Sequence, residues 1–124
     1  HTNARLLILG EGHLRSKLEN LAKDLEISED VSLGGFVENP YAYMSRAKAL
    51  ILSSRSEGLP TVLIEAMACG CPIISTDCLS GPREILDAGR YGILVPVGDE
   101  KLMAKAMFQV LEEPVTSKEL LVQR

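Results

Sequence analysis

The chain has 124 residues, 46% of them hydrophobic, and 13 Lys and Arg against 17 Asp and Glu leave a net charge of −4. That length and balance fit one soluble α/β domain. The acidic excess excludes a broad surface for nucleic acid or anionic membrane, which needs clustered Lys and Arg, so an anionic ligand has to be gripped locally. No apolar run approaches the roughly 18 residues of a membrane span, and no charged-then-apolar signal plan opens the sequence. Cys69, Cys71 and Cys78 are odd in number and match no zinc spacing. They read as small buried hydrophobes in a reducing, cytoplasmic setting. His1 and His13 read as surface residues.

Arg5-Leu6-Leu7-Ile8-Leu9 is a continuous apolar run that stops at Gly10-Glu11-Gly12, as a buried parallel strand does when it feeds a tight turn. Leu14, Leu18, Leu21, Ala22 and Leu25 then recur at helical spacing among charged residues. They predict an amphipathic helix packed on a sheet. The turn at Gly10 and Gly12 is a candidate ligand loop, although the third glycine of a dinucleotide fingerprint is missing; a bare strand-to-helix turn explains it equally well. Val31-Ser32-Leu33 reads as a short strand. Gly34-Gly35-Phe36-Val37 follows as an exit loop whose glycines let backbone approach a flat ligand, and Phe36 is either a ligand contact or plain core. Asn39-Pro40 opens a short helix through Tyr41, Met44 and Ala47, with the proline at the favoured first position. Tyr41 and Tyr43 either line a groove or, as the plainer reading, fall on its exposed edge.

Residues 50–75, LILSSRSEGLPTVLIEAMACGCPIIS, organise the rest. They read as strand, loop, helix and strand. Glu57 stands before the helix, which begins near Pro60 or Thr61, and Glu65 stands inside it, eight positions after Glu57. At about 1.5 Å rise per residue, Glu65 lies about 6 Å along the axis from Thr61, roughly the length of a diphosphate. A helix N-terminus presents free N–H groups and partial positive charge to a phosphate. Ionised carboxylates accept hydrogen bonds from sugar hydroxyls. The plainer alternative is a solvated loop glutamate followed by a surface glutamate on an ordinary helix. A turn-rich loop over residues 76–82, a short helix over 82–88 and a strand over 92–95 come next. Gly98-Asp99 opens a last helix with an apolar face of Leu102, Ala106, Val110 and the neighbouring Met103, Met107 and Leu111, started by Asp99 and Glu100 and ended by Pro114. Leu120, Leu121 and Val122 hint at one more helix. Five strands alternating with helices imply an open parallel αβα sheet of Rossmann type, whose ligands bind at the carboxyl ends of the strands. The loops after Leu9, Leu33, Ser53 and Ser75 all fall at such ends.

Glu57-Gly58-Leu59-Pro60 followed by Glu65-Ala66-Met67-Ala68, Gly70 and Pro72 resembles the E-x7-E signature region of retaining GT-B glycosyltransferases, the large family-4 group. Ser80-Gly81-Pro82-Arg83-Glu84 and Gly92-Ile93-Leu94-Val95 fall where that family has a second glycine-proline loop and its following strand. The resemblance implies a C-terminal, donor-binding half of a GT-B fold. Glu57 would accept hydrogen bonds from the donor sugar, as the catalytic carboxylate. Gly58, Leu59 and Thr61 would offer backbone groups, Val62 and Leu63 would donate helix N–H groups to the diphosphate, and Glu65 would bind ribose hydroxyls. Phe36 and Val37 would lie beside the base, and Gly10 and Gly12 would belong to the donor site. No cofactor and no metal are implied, the nucleotide-diphosphate sugar being the substrate.

The resemblance also implies that these residues are one Rossmann-like domain, 1–124, lacking a preceding strand with its arginine and lysine and lacking the N-terminal acceptor domain. That strand would lie between those at Leu6 and Ala49. Among the cations present, Arg5, Arg15, Arg46, Lys48, Arg55 and Arg83, none matches the missing pair, and Arg55 and Arg83 come nearest the rim. The expected partners are a nucleotide-diphosphate sugar and the N-terminal domain, with peripheral membrane association through that domain at the cytoplasmic face and no nucleic acid. A non-catalytic nucleotide or sugar-phosphate module, or a fragment of a GT-B sugar epimerase, is the alternative.

Overall fold

The computed structural model describes residues 3–112. Pro114 and the helix expected around Leu120 lie outside the described residues. The chain divides into two compact units, one within His1–Pro40 and one within Tyr41–Arg124. Five strands among the described residues form two parallel sheets, β1-β2 and β3-β4-β5.

In the first unit β1 (Leu6–Leu9) pairs in parallel with β2 (Val31–Gly35), joined by α1 (Arg15–Asp24) and a short 3-10 turn at Ser28–Asp30. Strand and helix form where the periodicity puts them, but their burial departs from expectation. Leu6 and Leu7 are 43% and 42% exposed, and Leu14, Leu18, Leu21 and Leu25 all face solvent, leaving Ala22 as the buried residue of α1. A two-stranded sheet with one ten-residue helix has too little layer area to cover these side chains within the unit. β2 also runs on through the two glycines assigned to a loop. Gly35 sits in the left-handed region at φ 67°, where the register slips between Ile8 and Leu9. The Gly10 N–H donates to the Gly35 carbonyl at 2.7 Å.

The second unit opens in α2 (Pro40–Met44), with Met44 buried. β3 (Leu50–Leu52), β4 (Ile73–Thr76) and β5 (Ile93–Val95) then form a three-stranded sheet with β4 central. Every residue of β4 is buried, because it has a strand on each edge and a layer on each face. Successive side chains alternate between faces. Ile73 therefore joins Met44, Leu63, Ala66, Met67, Leu86 and Tyr91 on one side, while Ile74 joins Val95, Ala106 and Val110 on the other. α3 (Thr61–Ala68) and α4 (Pro82–Ile85) belong to the first cluster, and α5 (Glu100–Glu112) to the second. Cys71 and Cys78 are buried and Cys69 is partly so, in keeping with small hydrophobes.

Elsewhere too the elements depart from the sequence reading, α2 ending at Met44 short of the expected Ala47. The helix expected over 82–88 stops at Ile85, because Asp87, Ala88 and Gly89 all take positive φ and turn the chain back. Leu102 faces solvent while Ala106 and Val110 carry the apolar face of α5, and the Leu102 N–H instead bonds Asp99 Oδ1 at 3.0 Å. That is the expected aspartate cap.

Candidate functional site

The parallel sheet of the second unit places the loops after β3, β4 and β5 at one end. The loop after β3 holds most of the candidates. Pro60 adopts φ −77° and ψ 77°, an inverse γ-turn, and folds the Thr61 N–H back onto the Leu59 carbonyl at 2.8 Å. Leu63 N–H donates to the Pro60 carbonyl at 3.0 Å. Thr61 and Leu63 are thus already satisfied inside the chain, which narrows the expected donor set. The N–H groups of Gly58, Leu59 and Val62 have no acceptor among the described residues. They are the open donors at the head of α3, where the helix dipole favours an anion. A Cβ built on Gly58 would meet nothing within 4 Å, so the backbone there is open to close approach.

Glu57 is half-buried beside this turn, and its Oε1 accepts a hydrogen bond from Ser54 Oγ at 2.7 Å. Ser54 is itself fixed, since Thr76 Oγ1, at the end of β4, donates to the Ser54 carbonyl at 2.6 Å. Glu65 is half-buried one turn after Thr61, on the border stripe of α3 that also carries Val62 and Cys69. Neither Ser54 nor Thr76 stands out in the sequence. The available signals were a hydroxyl three residues before an acid and two polar residues closing an otherwise apolar central strand.

The loop after β4 abuts the same turn. Gly81, at φ 120°, has no room for a Cβ, which would run into Pro60 Cδ and lie 2.9 Å from Pro60 Cγ. Arg83, expected near the rim, is held by both carboxylate oxygens of Asp77, one of them 3.2 Å from its Nε. The Asp77 carboxylate raises the Arg83 pKa above its ordinary value. Arg55 is exposed.

Gly10, Gly12, Phe36 and Val37 belong to the first unit. Gly10, at φ 112°, and Gly12 each have open space where a Cβ would stand. Phe36 is 80% exposed, which removes its reading as core, and Val37 is half-buried. Arg15 donates to Glu11 Oε1 at 3.1 Å, Glu19 Oε1 at 2.9 Å and the Leu33 carbonyl at 2.9 Å.

The chain is similar in sequence and fold to proteins of known identity. Over 112 residues the chain is 41% identical to a 4-alpha-N-acetylgalactosaminyltransferase of Campylobacter jejuni that acts on N-acetylgalactosamine-N,N'-diacetylbacillosaminyl-diphospho-undecaprenol, covering 90% of this chain and 31% of that protein. It superposes on the apo lipopolysaccharide outer core galactosyltransferase WaaB with a TM-score of 0.79 at 32% identity, covering 87% of this chain and 31% of that one. A Staphylococcus aureus TarM structure, in complex with UDP among other ligands, gives a TM-score of 0.86 at 25% identity over 94% of this chain and 24% of that one. The chain thus spans about a third or less of the length of these relatives, and its fold is that of GT-B glycosyltransferase C-terminal domains. Residues 1–122 match the family model described as glycosyl transferases group 1, and the chain belongs to that family.

Proposed function

We propose that the chain is the donor-binding portion of a retaining family-4 glycosyltransferase, which moves a sugar from a nucleotide-diphosphate sugar to a glycan, lipid or protein-linked acceptor. Its fellow domain would hold the acceptor. The observation that carries this reading is the junction between β3 and α3. Glu57 lies on one side, the open N–H groups of Gly58, Leu59 and Val62 lie at the turn, and Glu65 lies within α3.

In the reaction the bond from the anomeric carbon to the diphosphate oxygen breaks, the acceptor hydroxyl oxygen bonds that carbon on the same face, and the hydroxyl proton passes to the departing diphosphate oxygen. The departing diphosphate takes both electrons. Preorganised N–H donors at a helix start stabilise that developing charge without reorganising. In this proposal Val62 serves the diphosphate, Gly58 and Leu59 serve phosphate or sugar oxygens, Glu57 accepts from the sugar hydroxyls, and Glu65 accepts from the ribose. Thr61 and Leu63 shape the turn through their internal bonds. Gly10, Gly12, Phe36 and Val37 serve the nucleotide end. The chemistry as proposed calls on no metal and no cofactor. A cytoplasmic location, at a membrane face, accords with the lipid-diphosphate substrate in the name of the Campylobacter relative.

The test is a binding titration with UDP, GDP and ADP sugars, paired with turnover in the full-length protein. Glu57→Ala is expected to abolish most turnover with folding retained. Glu65→Ala is expected to weaken nucleotide binding by roughly 1–3 kcal/mol, the cost of a lost charged hydrogen bond. Wild-type activity in both variants would refute the assignment.

A further inference from the structure

Glu57 is a side chain on a loop, and a free glutamate there would lose rotamer entropy whenever a ligand fixed it. The structure has already fixed it. Thr76 belongs to β4, is 4% exposed and sits on the most constrained strand of the sheet. Its Oγ1 donates to the Ser54 carbonyl at 2.6 Å, with the Leu52 carbonyl at 3.5 Å. Ser54 Oγ in turn donates to Glu57 Oε1 at 2.7 Å. A buried hydroxyl requires a hydrogen-bond partner, and Thr76 finds one across the gap to the neighbouring strand's loop rather than on its own strand.

We infer that Ser54 and Thr76 are positioning residues, a two-hydroxyl relay that carries the rigidity of β4 out to the carboxylate of Glu57. The inference rests on the donor-site reading of Glu57 given above. With Oε1 occupied by Ser54, Oε2 has no partner among the described residues and is the oxygen available to hydroxyls of a bound sugar. The relay therefore selects which oxygen meets the ligand and fixes its direction before binding. It acts on the sugar end of the donor alone, because the open N–H groups at Val62, Leu59 and Gly58 form no part of it.

That division supplies the test, in the full-length protein, with UDP alone and with UDP-galactose, UDP-N-acetylgalactosamine and UDP-glucose as probes. Ser54→Ala is expected to weaken the best-bound of the three UDP-sugars about tenfold, the equivalent of about 1.4 kcal/mol, while UDP binding stays within about twofold of wild type. Ser54→Thr keeps the hydroxyl and is expected to restore the sugar-dependent part. Thr76→Val should show the same sugar-selective loss and Thr76→Ser should not. Once Glu57 is alanine, adding Ser54→Ala should cost nothing further, since the relay then has nothing to hold. Should Glu57→Ala weaken the UDP-sugar while Ser54→Ala does not, the relay is wrong and the donor site stands. Should neither substitution weaken a UDP-sugar that the wild-type protein binds, the donor-site reading of Glu57 itself fails. Equal weakening of UDP and UDP-sugar by Ser54→Ala, or loss of its folded circular-dichroism signal, would make Ser54 merely structural and overturn the inference.

Discussion

At the scale of single residues, Cys71 shows burial acting on chemistry. Its side chain is almost fully enclosed among Leu63, Met67 and Ile73, and the thiol lies 3.5 Å from the Pro72 carbonyl. Burial, with a smaller contribution from neighbouring Cys69, pushes the Cys71 thiol up to about 11 against an ordinary value of 9.0, although the Leu50 backbone acts in the opposite sense. The folded state therefore keeps a proton that the unfolded chain gives up. Stability from this group is intact below pH 9.0 and is lost as pH rises toward about 11. Two pKa steps correspond to roughly 3 kcal/mol at most. Chemical unfolding followed from pH 8 to 11 is expected to show that decline, and Cys71→Ala is expected to flatten it relative to wild type. An identical pH profile in the variant would remove Cys71 as the cause. The sequence already marked this residue as a small hydrophobe. It could not mark Ser54 or Thr76, because a hydroxyl at a strand end carries no signal of the carbonyl it will meet across the sheet.

At the scale of elements, the order and type of strands and helices were legible because each apolar run is bounded by glycine, proline or a capping aspartate. The ends of elements were less so. Nothing in Leu86-Asp87-Ala88 announces the left-handed turn that cuts α4 to four residues, and the side-chain period of α1 predicts an apolar face without saying what covers it. The two glycines flanking the candidate site separate backbone need from ligand need. Gly81 takes φ 120° with Pro60 where its Cβ would go, so Gly81→Ala strains the backbone and displaces the turn that presents Val62. A cost of about 1–3 kcal/mol in stability is expected, together with weakened donor binding. Gly58 has neither constraint. Gly58→Ala should leave the melting behaviour within about 0.5 kcal/mol of wild type and yet reduce binding of the same UDP-sugar probe, because only a ligand competes for that space. Unfolding midpoints of the two variants, measured beside their probe affinities, check the contrast. Normal probe binding by a folded Gly58→Ala protein would show that no ligand approaches there.

At the scale of the whole molecule, the sheet that reads as one in the sequence divides into two, and the two units differ in how much they bury. Between β3 and α5 the chain encloses two apolar clusters on opposite faces of β4, whose members include Leu63, Ile74 and Leu86, all fully buried. In the first unit Ala22 and Gly35 are the buried residues among those described. Area removed from water stabilises at about 25 cal/mol per Å², so the opening free energy should follow the same division. Amide exchange of the 124-residue chain is therefore expected to be slowest across Ile73–Thr76 and its partners in β3 and β5, whose hydrogen bonds open only with the second unit as a whole. Amides of Leu6–Leu9, paired on one edge and with two leucines more than two-fifths exposed, should exchange at least about tenfold faster through local opening. Equal protection of β1 and β4 would mean that the first unit gains its stability from something other than the burial within it, and that the two units open as one.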